Sequence, residues 1–185
     1  MSAKLLSKRV FSRASQCYVL WLIASAAFGA SSLGQSLPPT EAESLTGHGV
    51  VLAQAVRGHV SLIIAGFSHE AGSACEAWSK AVHADAAMAS VAVYQAVMLE
   101  QAPGFVRGMI KSSMRKQIPA AEQDNFLVFT QDEKLWRGYF GVTTDKEPWV
   151  VLLDASGKVL WHGHGPASTL EPLVRASLQA PTGHR

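Results

Sequence analysis

Apolar residues follow two patterns between residues 49 and 178, short continuous runs and helical repeats. Runs rich in β-branched and aromatic residues predict strands. Apolar residues at intervals of three and four predict helices that bury one face. The predicted strands are 49–52, 59–67, 91–99, 125–130, 149–154 and 158–162, and the predicted helices are 73–82, 103–118, 132–141 and 168–178. The run 91–99 contains alanine and methionine and is also compatible with a helix.

The order of these elements predicts the fold class. They run β-β-α-β-α-β-α-β-β-α and end in a β-hairpin closed at residues 155–157, followed by a helix. Ser73 and Asp132 are predicted N-caps, because each directly precedes an apolar helical repeat. Alternating strands and helices place helices on both faces of a sheet. We therefore expect an α/β fold, a three-layer α/β/α sandwich whose mixed central sheet ends in a β-hairpin and a C-terminal helix.

The N-terminal residues are predicted to be an export signal. Residues 1–34 carry four Lys or Arg residues, no acidic residue, the apolar run 18–30 and small residues near its end, as signal peptides do. The run is shorter than the ~20 residues of a transmembrane helix, so we expect no stable transmembrane span. Export to the periplasm or the cell exterior is predicted, and a mitochondrial transit peptide is the alternative.

The rest of the chain divides into three segments. Residues 35–47 are small, polar and proline-containing, which predicts a flexible linker. Residues 48–180 hold the predicted domain, and residues 181–185 are a predicted frayed tail.

Removal of the leader changes the charge and the cysteine count. The leader holds four of the 16 Lys and Arg residues and none of the 14 acidic residues, so the remainder is near neutral. This balance gives no support for binding to nucleic acid. Cys17 also leaves with the leader, so Cys75 alone remains and no internal disulfide can form. No cofactor is predicted.

Residues 45–75 resemble the start of exported proteins of the thioredoxin-like superfamily, including peroxiredoxin-like members. They hold a short strand, a glycine before the first core strand, the aromatic Phe67 at its end, and Cys75 near the next predicted helix. Pro148 stands before the final hairpin, where that superfamily has a cis-proline that faces the reactive site. The resemblance covers residues 49–178, and it implies a thioredoxin-like fold.

A narrower set of positions is similar to the thioredoxin-like assembly factor family of the mitochondrial ATP synthase. That likeness implies association with a membrane complex. The matching positions are residues 113–119, Cys75, Trp78, Asp154, Gly157, Trp161 and Gly165.

The redox chemistry of that superfamily needs two thiols separated by two residues at a helix N-terminus. Counted from Phe67, the first thiol position falls on Gly72 and the second on Cys75. A single chain with glycine at the first position cannot perform dithiol–disulfide turnover.

Two roles are open for Cys75. A lone cysteine one turn into a helix is most often a small buried apolar residue. The alternative is a one-cysteine thiol oxidoreductase or peroxidase with Cys75 as the catalytic residue. Peroxiredoxin-like proteins have Thr or Ser where this chain has Gly72, although Ser73 or His69 could replace that hydroxyl. Arg137 is a candidate for stabilising a thiolate.

Other polar residues suggest weaker hypotheses. His162 and His164 share one face of a strand, but a metal site would need a third ligand such as Cys75 or His69. We therefore predict no metal site. The basic residues of the helix 103–118 are expected to form a solvated face. They are Arg107, Lys111, Arg115 and Lys116.

The sequence thus predicts a non-catalytic binding or assembly protein of the cell envelope, of the chaperone type. Its partner is expected to be a polypeptide held in a groove. The groove residues are Gly72, Ser73, Pro148 and Trp149, beside Cys75.

Overall fold

A computed structural model describes residues 33–179, so most of the predicted signal peptide and all of the tail at 181–185 lie outside the described residues. The strands are β1 (Glu41–Ser44), β2 (Gly49–Val51), β3 (Ser61–Gly66), β4 (Ala92–Met98), β5 (Phe126–Phe129), β6 (Trp149–Leu153) and β7 (Val159–His164). The helices are α1 (Leu52–Ala55), α2 (Gly72–Ala84), α3 (Gly104–Gln117), α4 (Glu133–Phe140) and α5 (Ala167–Gln179). None of these helices combines the length and the hydropathy needed to cross a membrane.

The strands form one mixed sheet with the order β2-β1-β5-β4-β3-β6-β7. The pairs β3–β4 and β4–β5 are parallel, and the other pairs are antiparallel. β4 confirms that the run 91–99 is a strand rather than a helix. β6 and β7 form the predicted hairpin, and Gly157 has the positive φ of 80° that its turn requires.

β3 lies at the centre of the fold, and all six of its residues are buried. Successive side chains of a strand point to opposite faces. Leu62 and Ile64 pack with residues of α2 and α5, and Ile63 and Ala65 pack with residues of α1 and α4.

The same alternation assigns the helices to the two faces of the sheet. Met114 of α3 and Val97 of β4 pack against the same cluster, which contains Val128. Val97 lies an even number of residues from Val91, which packs with α2. We call the side covered by α2, α3 and α5 the α2 face, and the side covered by α1 and α4 the α4 face. The three-layer α/β/α sandwich is confirmed.

The flexible linker predicted for residues 35–47 is wrong. This segment contains β1, which pairs with both β2 and β5 and so extends the sheet. Leu37 and Leu45 are buried in the core. The side chain of Lys111 also binds Glu43 of β1 at 2.7 Å. The sequence pattern does not indicate this strand, because its four residues have glutamate at alternate positions and contain no apolar run.

The burial of Leu45 can be tested by its truncation to alanine. Leu45 is 0% exposed, whereas Leu33 in the same part of the chain is 72% exposed. We expect Leu45→Ala to lower the free energy of unfolding by about 2–5 kcal/mol because it leaves a cavity. Leu33→Ala should change it by less than about 0.5 kcal/mol. Urea unfolding followed by circular dichroism measures both, and equal small effects would show that the segment is not part of the core.

Candidate functional site

The candidate site lies where β3 ends and the chain enters α2. Two loops meet there, residues 67–71 after β3 and residues 141–148 before β6. The Ser68 hydroxyl donates a hydrogen bond to the carbonyl oxygen of Asp145 at 2.6 Å. The Lys146 ammonium lies 3.4 Å from a carboxylate oxygen of Glu70. The start of α2 and the residues before β6 are therefore neighbours.

α2 begins at Gly72, and Ala71 is its N-cap. The prediction that Ser73 caps this helix is wrong, because Ser73 is the second helical residue and the N-terminus has no side-chain cap. Gly72 and Ser73 are exposed. The backbone N–H of Cys75 donates to the carbonyl oxygen of Ala71 at 2.9 Å. Cys75 therefore lies one full turn inside the helix, while Gly72 holds the outermost position.

The thiol of Cys75 points down onto the sheet. Cys75 is partly buried and packs against the apolar cluster of the α2 face. Its Sγ atom lies over Gly66 at the end of β3, so close that a Cβ atom added to Gly66 would be 3.2 Å from it. A larger residue at position 66 would therefore displace the thiol.

This packing controls the acidity of the thiol. Burial raises the pKa of Cys75 to about 12, because a thiolate would lose its hydration, and the backbone hydrogen bond at Cys75 lowers that pKa only in part. A thiol with so high a pKa stays protonated at neutral pH. Within residues 33–179 no second cysteine exists to share a disulfide with it.

The structure does not bring Trp149 to Cys75. Trp149 is 5% exposed and belongs to the cluster of the α4 face, so the sheet separates the two side chains. Its indole stacks on His164 with ring centroids 4.3 Å apart, and its N–H donates to the carbonyl oxygen of Thr144 at 2.9 Å. Trp149 is thus a packing residue, not an exposed docking surface.

Pro148 also departs from the expectation drawn from the resemblance. Pro148 is buried, and its peptide bond is trans, like every peptide bond within residues 33–179. Its carbonyl oxygen accepts a hydrogen bond from the N–H of Gly165 at 3.1 Å, which ties it to the end of β7. Of the four predicted groove residues, only Gly72 and Ser73 are exposed.

Arg137 lies on the α4 face and is held there by three groups. Its Nε atom donates to Glu133 at 2.7 Å, and a terminal nitrogen lies 3.5 Å from Asp145. Its guanidinium also lies over the ring of Phe67, 5.2 Å from the centroid. Arg137 therefore braces both loops of the candidate site from the face opposite Cys75, and it does not contact the thiol.

Glu133 is a part of this brace that the sequence reasoning missed. It is buried, and Gln101 donates a second hydrogen bond to its carboxylate at 3.0 Å. The spacing of four residues between Glu133 and Arg137 on one helix was the signal that could have indicated the pair.

The N-terminus of α4 is capped from outside the helix. Asp132 occupies the N-cap position with a φ of 63°, but its side chain makes no cap hydrogen bond. Instead, the backbone N–H of Glu133 donates to the carboxylate of Glu100 at 2.6 Å. The prediction of Asp132 as a side-chain cap is wrong, because Glu100 at the end of β4 fills that role.

The two strand histidines lie on the α4 face. Val151, which belongs to that face, pairs with His162, and His164 follows two residues later. Burial lowers the pKa of His162. His164 is 2.8 Å from Glu147. Within residues 33–179, no three His, Cys, Asp or Glu side chains converge as metal ligands would.

The contact between Gly66 and Cys75 predicts an interaction between two substitutions. We expect Gly66→Ala to lower the free energy of unfolding by about 1–3 kcal/mol, because the new methyl group crowds Sγ. In a Cys75→Ala background the same change should cost at least about 1 kcal/mol less. Urea unfolding of the four proteins in the cycle measures this difference. An equal cost in both backgrounds would show that the thiol does not lie over Gly66.

No family model and no curated protein matches the chain. Solved structures do match. BsSco, a member of the Sco family of cytochrome c oxidase assembly proteins, has a TM-score of 0.56 at 14% identity, over 84% of this chain and 99% of that chain. A thiol:disulfide interchange protein of the thioredoxin family from Chlorobium tepidum has a TM-score of 0.51 at 16% identity, over 80% and 99%. Thiol peroxidase from Chromobacterium violaceum has a TM-score of 0.53 at 13% identity, over 82% and 90%.

These matches extend along nearly the whole length of each solved structure. At such low identity they establish the architecture and leave the activity open. The likeness to the ATP synthase assembly factor family stays a prediction. The seven-stranded mixed sheet and the three structural matches show that this chain has a thioredoxin-like fold.

Proposed function

We propose that this chain is an exported thioredoxin-fold protein that binds another polypeptide and does not catalyse thiol–disulfide exchange. The observation that carries the proposal is the state of Cys75, a thiol with a pKa of about 12 that lies one turn inside α2. The outermost helical position, where an exposed thiol would be reactive, is occupied by Gly72.

Thiol chemistry depends on the thiolate. In disulfide exchange a thiolate attacks one sulfur of a disulfide, forms a mixed disulfide and expels the other sulfur as a thiolate. In peroxide reduction a thiolate attacks one peroxide oxygen, the O–O bond breaks, the other oxygen leaves as hydroxide or alkoxide, and the sulfur becomes a sulfenic acid. Both reactions need access to Sγ as well as its ionisation. The packing of Cys75 on Gly66 opposes both requirements.

The burial and high pKa of Cys75 also count against a one-cysteine oxidoreductase or peroxidase. Helix N-termini lower the pKa of a thiol that lies in the first turn and is exposed. Cys75 lies after that turn, and the backbone hydrogen bond that lowers its pKa is outweighed by desolvation. Arg137 cannot assist, because it binds Glu133 and Asp145 on the other face of the sheet.

The exposed rim of the candidate site supports recognition. Gly72 and Ser73 expose the first turn of α2, which has no side-chain cap. The N–H of Gly72 donates to the carbonyl oxygen of His69, so the N–H groups of Ser73 and Ala74 are the ones that can meet carbonyl oxygens of a partner chain. Glu70, which shortly precedes this turn, and Lys146, 3.4 Å from its carboxylate, add charges of both signs beside it. A surface that combines backbone donors and mixed charges suits a polypeptide segment more than an apolar small molecule.

Export is the second part of the proposal. It rests on the basic residues and apolar run of the segment 1–34 and on the presence of one cysteine after it. A periplasmic or extracellular location would place the protein among envelope complexes, and assembly of such a complex is the role we favour. The proposed partner is an accessible polypeptide segment.

The state of Cys75 can be tested by alkylation with iodoacetamide in a Cys17→Ser background. We expect the Cys75 thiol of the folded protein to react more than about 100-fold more slowly at pH 8 than a free thiol, because little thiolate is present. Mass spectrometry of timed samples measures the rate. The matched control is Gly72→Cys in a background that carries both Cys17→Ser and Cys75→Ala, which places a single thiol on the exposed first turn and should be alkylated rapidly.

The low reactivity expected for Cys75 also predicts that the protein has no thiol-dependent catalytic activity. The protein with Cys75 alone should not reduce insulin disulfides, and no sulfenic acid should form at Cys75 after peroxide treatment. Rapid alkylation of Cys75 at pH 8, or insulin reduction that Cys75→Ala abolishes, would establish the thiol enzyme and overturn the proposal.

Binding at the rim predicts site-specific crosslinking in the cells that produce the protein. A photoreactive phenylalanine derivative at Ser73 should form a covalent adduct with a polypeptide partner. The matched control is Lys80, exposed on the same helix two turns later, where no adduct should form. Adducts at both positions, or at neither, would contradict binding at this rim. Immunoblotting for the protein detects the adducts.

A further inference from the structure

Helix α3 has two large apolar side chains that are mostly exposed to solvent. Phe105 is 78% exposed and Met109 is 70% exposed. They lie one turn apart on the same helix face. The other exposed large apolar residues within residues 33–179 lie in three different segments of the chain, and they are Leu33, Leu135 and Leu173.

The exposed face of α3 is continuous along the helix. Phe105, Met109, Ser112 and Lys116 follow one another at the spacing of a single helix face, and all four are exposed. The opposite side of α3 faces the sheet, where Met114 packs against the apolar cluster around β5. No residue of α3 is fully buried, so this helix lies on the surface of the α2 face as a raised ridge.

The charge of α3 has a single sign. Its 14 residues include four basic side chains and no acidic one. The charge of Lys111 is balanced by Glu43 at 2.7 Å. Arg107 and Arg115 donate to backbone carbonyl oxygens, which leave their charges uncompensated. Among residues 33–179, Lys116 makes no ion pair. The predicted solvated face thus holds the exposed Arg115 and Lys116, while Lys111 and Arg107 bind other parts of the fold.

We propose that α3 docks on an anionic lipid surface. Phe105 and Met109 insert into the boundary between head groups and acyl chains, and the exposed side chain of Lys116 on the same face, with Arg115 beside it, binds lipid phosphates. An amphipathic helix with aromatic or aliphatic residues beside Lys and Arg binds membranes in this way. The inference is independent of the proposed recognition site, which lies at the start of α2.

The shape and charge of α3 favour a membrane over a protein partner. Protein interfaces are built around a well-packed apolar centre with complementary charges. Here two apolar side chains project from a convex ridge whose middle is formed by Gly108 and Ser112. A lipid surface accepts a protruding ridge because it deforms around it. A second copy of this chain would bring the same positive charge against α3, which is repulsive.

The test uses the full chain carrying Cys17→Ser and Cys75→Ala, with one new cysteine labelled by a dye whose emission depends on polarity. Ser112→Cys places the dye on the exposed face of α3, three residues after Met109. The matched control is Ala176→Cys on α5, exposed and three residues after Leu173. The segment 1–34 is the same in both proteins, so binding through it does not distinguish them. Circular dichroism confirms that both proteins fold.

With vesicles of phosphatidylglycerol and phosphatidylcholine in equal parts, we expect a blue shift of the dye at position 112 and none at position 176. Vesicles of phosphatidylcholine alone should give no shift, and salt at about 0.5 M should remove it. Phe105→Ser with Met109→Ser should abolish the shift. Lys116→Gln should weaken vesicle binding about fivefold.

Each opposite result overturns the proposal. No shift at position 112, an equal shift at both positions, or a shift that is unchanged in phosphatidylcholine vesicles would exclude docking of α3 on anionic lipid. A shift without vesicles that grows with protein concentration would assign the face to a second copy of the chain. A shift with polyglutamate and none with vesicles would assign it to an acidic protein.

Discussion

The rest of the fold depends on the burial of β3 from every side. It pairs with β4 and β6 at its two edges, and helices cover both of its faces. Because neighbouring residues of a strand point in opposite directions, each side chain of the sheet belongs to one helical layer or the other. Cys75 packs on the layer of Ile64, and Trp149 packs on the layer of Ile63. The separation of these two residues follows directly from this division.

Packing and reactivity are opposed at the start of α2. The helix is held against the sheet by side chains one turn and two turns inside it, Cys75 and Trp78, and the Trp78 indole donates to the carbonyl oxygen of Gly165 at 2.9 Å. A side chain that packs between a helix and a sheet is removed from water. Because desolvation disfavours the thiolate, it raises the pKa of a thiol in that position. The outermost position combines exposure with the helix dipole, and there the chain has Gly72. The chain thus has a cysteine at the packing position 75 and a glycine at the exposed position 72.

Much of this architecture could be predicted from the sequence, because buried strands and amphipathic helices leave strong patterns. The run 59–67 and the hairpin after Pro148 are of this kind. β1 could not be predicted, since its residues are polar and its stability comes from pairing with β5 and from the contact between Glu43 and Lys111. The burial of Trp149 could not be predicted either. The face of the sheet on which its side chain lies depends on the strand register that pairs Trp149 with Ala65.

The two loops of the candidate site are joined by contacts on the far side of the sheet. Arg137 joins Glu133 of α4 to Asp145 in the loop before β6, and it covers the ring of Phe67 in the loop after β3. Both loops of the site are therefore fixed by one buried side of α4, while the rim above Gly72 stays exposed. A catalyst needs a reactive group at that rim, and a binding surface needs only a fixed shape. In the proposed function the two loops supply that shape, while Cys75, the only cysteine within residues 33–179, packs on the sheet.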